Sequence, residues 1–103
     1  MEKQSENSNG ATPCRLSAIR RCSASVKSER VEYRLYEMSA DGEVMGYAVG
    51  VRGFGERRVA FAGRDYALAE RIFESVAHHC VTPCTLTDVV EDMMFGAEYF
   101  GAT

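Results

Sequence analysis

The sequence predicts an α+β fold: a three-stranded antiparallel meander followed by two helices packed on one sheet face. Three observations predict it. Between Val31 and Ala62, apolar residues alternate with other residues in three runs separated by glycine-containing turns, the period-two pattern of strands. After Gly63 the period becomes helical, with Leu68, Ile72 and Val76 recurring on one side. Pro83 then divides this stretch from a second one, in which Leu86, Val89, Val90 and Met93 form a single apolar stripe.

Each element carries its own signals. Val31, Tyr33 and Leu35 alternate with Glu32 and Arg34 in the first strand. Asp41-Gly42 marks a tight turn, because glycine supplies the positive φ such turns need. Met45, Tyr47, Val49 and Val51 place the second strand at about residues 43–52. Gly53-Phe54-Gly55-Glu56 is the second turn, and Arg58 to Ala62 is the third strand, with Val59 and Phe61 on one face. Short turns make these neighbours antiparallel. Asp65 is a candidate cap for a helix reaching about Cys80. Thr85 followed by Asp88 resembles a capping box with Asp in place of Glu, and Gly96 is the expected end of the second helix.

The N-terminal part reads differently. All ten aromatic residues lie after residue 30, and the formal charge is +3 over residues 1–30 but −6 over residues 31–103. A serine-rich segment without aromatics buries too little apolar surface to offset its ordering entropy. The expected organisation is therefore a basic, largely disordered segment over residues 1–28, one small domain over 29–97, and a tail over 98–103. Residues 1–12 are the clearest tail. Within 13–28, Thr12-Pro13 could start a short helix over 13–24, with Leu16, Ile19 and Cys22 three apart, although four serines weaken it. No apolar run approaches the ~18 residues of a transmembrane helix. The polar start, Met1-Glu2-Lys3-Gln4, does not read as a secretory signal, so a cytoplasmic protein with free thiols is expected.

The strand pattern divides the sheet into two faces. Val31, Tyr33, Leu35, Met45, Tyr47, Val49, Val51, Val59 and Phe61 are assigned to the face under the helices. Gly46, Ala48, Gly50, Ala60 and Ala62, edged by Tyr36, Met38 and Val44, are assigned to the other. That smooth, weakly polar face makes Gly46, Ala48, Gly50, Ala60, Ala62, Tyr36 and Met38 the candidate interaction residues. The third strand is an expected sheet edge, and a symmetric homodimer would cover both features.

Three stretches carry a family resemblance: Arg30-Val31-Glu32-Tyr33-Arg34-Leu35, Tyr47-Ala48-Val49-Gly50-Val51, and above all Val81-Thr82-Pro83-Cys84-Thr85-Leu86-Thr87-Asp88-Val89-Val90-Glu91-Asp92. Over Arg30 to Met94, about two-thirds of the chain, the sequence resembles a small family of uncharacterised Clostridia-type bacterial proteins of unknown function. The resemblance implies a short meander followed by helices. It implies no activity and no functional residues.

Candidate chemistry is sparse. His78, His79, Cys80 and Cys84 are the densest group of metal-ligating types, and Cys14 and Cys22 could complete a set. No paired C-x-x-C is present, and histidines at a helix C-terminus are favourable without a metal. Adjacent helical residues diverge, which places His79 poorly to activate Cys80. The glycines at 50, 53 and 55 lie between strands, whereas phosphate loops lead from a strand into a helix. Asp88, Glu91 and Asp92 read as a solvated helix face. The segment from Arg15 to Arg30 is basic but lacks interleaved aromatics, and the acidic body would repel a nucleic-acid backbone.

The expected function is a non-catalytic, protein-interaction module, with no catalytic residues and no cofactor. The expected partner is another protein or a second copy of the chain, with nucleic acid disfavoured and no membrane involved. One alternative is a nucleic-acid-associated accessory protein using the basic arm. A second is a small metal-binding protein using His78, His79, Cys80 and Cys84.

Overall fold

The computed structural model describes residues 14–101, with side chains described through residue 95. The expected tail over residues 1–12 lies outside the described residues. The chain forms a four-stranded antiparallel sheet in sequential order, backed by two helices. The strands are β1 (Arg15–Val26), β2 (Glu29–Ala40), β3 (Glu43–Gly53) and β4 (Glu56–Phe61). Helix α1 spans Tyr66–His78, a single 3-10 turn spans Pro83–Thr85, and α2 spans Leu86–Gly101. The α+β class and the meander order hold, with four strands rather than three.

The added strand is β1, where the sequence suggested disorder or a short helix over 13–24. Its apolar and polar residues do alternate, but the alternation breaks at Ile19. Ala18 pairs with Tyr36 and Arg20 with Leu35, so Ile19 is an extra residue in a β-bulge. The bulge shifts the phase by one, and the spacing of Leu16, Ile19 and Cys22 then imitates a helix. β1 is joined to β2 by Lys27-Ser28, whose φ values are +51° and +67°. Positive φ at both central residues is the mark of a type I′ hairpin, here built without glycine. Asp41-Gly42 (+53°, +78°) and Phe54-Gly55 (+54°, +74°) repeat the geometry between the later strands.

These two-residue turns fix the register, and the register fixes the faces. Gly53 pairs with Glu56, which sets Arg58 opposite Val51 and Ala60 opposite Val49. Ala60 therefore lies on the helix-covered face, while Val59, opposite Gly50, and Phe61, opposite Ala48, lie on the other. This reverses the expected facing of the third strand. Small residues on β4 let α2, which packs on that strand, come close to the sheet. Ala60 and Ala62 accordingly belong to the core with Ala69, Leu86 and Val90.

The core lies between the sheet and the helices. Val31, Tyr33 and Leu35 of β2, Val49 and Val51 of β3, and Ile72, Phe73 and Val76 of α1 are almost completely excluded from solvent. Tyr33 keeps its hydroxyl satisfied at this depth by donating to the Val81 carbonyl oxygen at 3.0 Å.

The helix ends explain why the chain turns where it does. Asp65 caps α1, its Oδ1 accepting from the Ala67 N–H at 3.2 Å. At the other end the Cys80 N–H donates to the Ala77 carbonyl and the Val81 N–H to the Val76 carbonyl, with Cys80 at φ +54°. This is a Schellman closure with cysteine where glycine is usual. The Thr85 hydroxyl donates back to the Thr82 carbonyl at 3.3 Å instead of forming the expected capping box. α2 passes through Gly96 and continues to Gly101, so the expected tail from residue 98 is helical as far as that residue. No helix among the described residues is long and apolar enough to cross a membrane.

Candidate functional site: the open face of the sheet

Both helices lie on one face of the sheet, and cross-strand pairing shows what the other face presents. One row runs Ala18–Tyr36–Ala48–Phe61 across all four strands, with Leu16–Met38–Gly46 beside it. The next row is Arg21–Arg34–Gly50–Val59, followed by Ser23–Glu32–Arg52–Arg57 and then by the pair Ser25–Arg30. The face is thus divided along the strands into an apolar, aromatic half and an arginine-rich half.

In the apolar half, the β3 glycines have a steric role. A Cβ on Gly46 would lie 2.8 Å from a Phe61 ring carbon, and one on Gly50 would lie 2.8 Å from a Tyr36 ring carbon. Both rings therefore reach across β3 over positions that carry no side chain. Phe61 remains 48% exposed and Leu16 48%, large values for such residues beside a well-packed core.

In the other half, five arginines, Arg21, Arg30, Arg34, Arg52 and Arg57, share the surface with one carboxylate, Glu32. Glu32 lies 3.5 Å from Arg34 and 3.7 Å from Arg30. Among the described residues no carboxylate forms an ion pair with Arg21, Arg52 or Arg57. Arg21 stands directly opposite Arg34, and Arg52 opposite Arg57. Like charges directly opposite each other destabilise a sheet. A groove of about 260 Å³ runs along β1 and β2 among Arg21, Ser23, Arg30, Glu32 and Arg34.

The covered side of β1 uses its basic residue differently. The Arg20 guanidinium lies 2.7 Å from Glu70, 3.5 Å from Glu74 and 5.2 Å above the Phe73 ring. The Tyr66 hydroxyl donates to the same Glu70 oxygen at 3.1 Å. Arg20 thus ties β1 to α1, whereas Arg21, one residue later, faces outward. The expected basic arm is in this way built into the sheet, with its charges split between the two faces.

Of the residues singled out in the sequence as an interaction face, Tyr36, Met38, Gly46, Ala48 and Gly50 do share the open face. Ala60 and Ala62 are buried beneath the helices. The arginine half was missed, because it is assembled from four strands and becomes visible only when their registers are known.

The metal-ligating candidates do not converge. His78 and His79 sit at the end of α1 with ring centroids 5.1 Å apart, and His79 Nδ1 lies 2.9 Å from the Ser75 carbonyl oxygen. Cys84 lies near the Thr82 hydroxyl at 3.5 Å, and Cys14 and Cys22 are exposed. Among the described residues no three of His, Cys, Asp and Glu are grouped to hold a metal ion. The glycines at 53 and 55 belong to the β3–β4 hairpin. Asp88, Glu91 and Asp92 are exposed on α2. A separate apolar cleft of about 240 Å³ lies among Val26, Phe54, Pro83 and Cys84, without converging catalytic groups.

No known protein family, no curated protein and no solved structure matches the chain.

Proposed function

We propose that this protein is a non-catalytic binding module whose working surface is the open face of its sheet. The observation that carries the reading is the contrast between the two faces. One packs its β2 and β3 side chains against α1 and α2, while the other leaves Leu16, Val59 and Phe61 40–50% exposed beside arginines that outnumber their one carboxylate. An apolar patch next to strong charge is costly to leave in water and serves as a ready contact surface.

Site-specific photo-cross-linking in the intact cell tests the reading. A photoreactive phenylalanine analogue is placed at Phe61, at Tyr36, or at Asp92 on the outer side of α2. Adducts are expected from the first two positions and not from the third. Equal adducts from Asp92, or none from Phe61 and Tyr36, would refute the proposal.

A further inference from the structure

The arginine rows and the two rings adjoin on one open sheet face, and together they define the chemistry of an occupant. We infer that the open face binds single-stranded nucleic acid, with phosphates over Arg21, Arg34, Arg52 and Arg57 and bases over Tyr36 and Phe61. The inference rests on the open-face reading above and specifies its partner.

Charge gives the first argument. The chain as a whole carries −3, which by itself disfavours a polyanion. That charge is segregated, however. Asp65, Glu70, Glu74, Asp88, Glu91 and Asp92 lie in the helical layer, behind the sheet. The rows containing Arg21, Arg34, Arg52 and Arg57 hold one acid, Glu32. A ligand approaching the arginine rows meets a positive field, while the carboxylates of the helices are on the far side of the sheet. The facing arginine pairs repel each other in the free protein, and an anion seated between them removes that repulsion.

The rings give the second argument. The Cα atoms of Tyr36 and Phe61 flank Ala48 from opposite sides, two strand spacings or about 9.5 Å apart, and their rings lean inward over β3, Tyr36 beside Gly50 and Phe61 beside Gly46. An open antiparallel sheet carrying aromatic rings offers splayed bases a stacking surface, and stacking tolerates any sequence because every base has a π face. An acidic peptide would satisfy the arginines and leave the rings unused. A duplex would hide its bases, and among the described residues this face presents no helix to enter a groove.

The test is fluorescence anisotropy of the full chain with labelled twelve-nucleotide oligo-U and oligo-dT at several salt concentrations. Polyglutamate of matched charge serves as competitor. Three to five phosphate contacts on a single strand give a slope of log affinity against log salt of about −2 to −3.5. Arg34→Ala and Arg52→Ala are each expected to weaken binding several-fold and to flatten the slope by about 0.7. Phe61→Leu keeps the apolar bulk and removes the stack. It is expected to weaken binding roughly tenfold at every salt concentration with the slope unchanged. Arg71→Ala, on α1, is expected to change nothing, and circular dichroism melts confirm that each variant is folded. Absence of binding at low salt, or binding indifferent to Arg34, Arg52 and Phe61, overturns the inference. So does displacement by polyglutamate at equal charge. If polyglutamate binding requires Arg34 and Arg52, the nucleic-acid assignment falls while the open-face reading stands. Failure of the cross-linking pattern described above removes the reading itself.

Discussion

At the centre of the covered face, Tyr33 shows how one residue joins packing to polarity. Its ring is fully buried, and its hydroxyl ties β2 to the loop after α1 through the Val81 carbonyl. Burial pushes the phenol up to about 12, and the Cys80 and Cys22 thiols act in the same direction. The sign follows from the raised value. The neutral phenol is favoured in the folded state, so this stabilisation is complete below the unfolded value of about 10. It is lost as the pH rises from there through about 12. Tyr33→Phe leaves the Val81 carbonyl without this donor and should cost about 1 kcal/mol at neutral pH. Urea unfolding of the two proteins between pH 8 and 11.5 checks both statements. The gap should narrow at the alkaline end, and a gap constant across the range would show that Tyr33 does not couple ionisation to folding.

At the scale of the element, β4 is the most instructive strand. Read alone, Val59 and Phe61 are the obvious inward residues, because large apolar side chains usually mark the buried face of a strand. The Phe54-Gly55 hairpin overrides this by setting Ala60 opposite Val49. The consequence is testable with one pair of substitutions. Ala60→Asp buries a carboxylate among apolar side chains and should destabilise by about 3 kcal/mol or more. Val59→Asp places the same charge on the open face, near Arg34 and Arg57, and should cost less than about 1 kcal/mol. Denaturant midpoints that rank the two variants in the opposite order would return β4 to the register suggested by its sequence.

β2 and β3 were legible because Asp41-Gly42 has favoured turn chemistry and their buried residues alternate without interruption. The start of α1 was legible through Asp65, and the inward stripe of α2 through Leu86 and Val90. β1 was obscured by the bulge at Ile19 and by a hairpin built from Lys27-Ser28, neither of which carries a glycine signal. The end of α1 was blurred by Cys80 in a left-handed conformation usually given to glycine. The apolar half of the candidate site could be glimpsed in the small residues of β3. Its charged half depends on cross-strand pairings such as Arg21 with Arg34 and Arg52 with Arg57, which depend on register.

For the whole molecule, the decisive property is sidedness. The sheet separates an acidic helical layer from a face where arginines and aromatic rings lie together, and the overall charge of −3 conceals the division. The proposed binding uses that one side: the two-residue turns set its register, and the helices cover the other face. An amide chemical-shift map of the isotope-labelled protein, titrated with oligo-U, reads sidedness residue by residue. The shifts should concentrate on Arg21, Arg34, Gly50 and Val59 and on the adjoining Tyr36–Ala48–Phe61 and Arg52–Arg57 positions, while Arg71, Asp88 and Glu91 stay unmoved. Largest shifts on the outer surfaces of α1 and α2, with the open face silent, would mean that binding takes place on the wrong side of the sheet for this account.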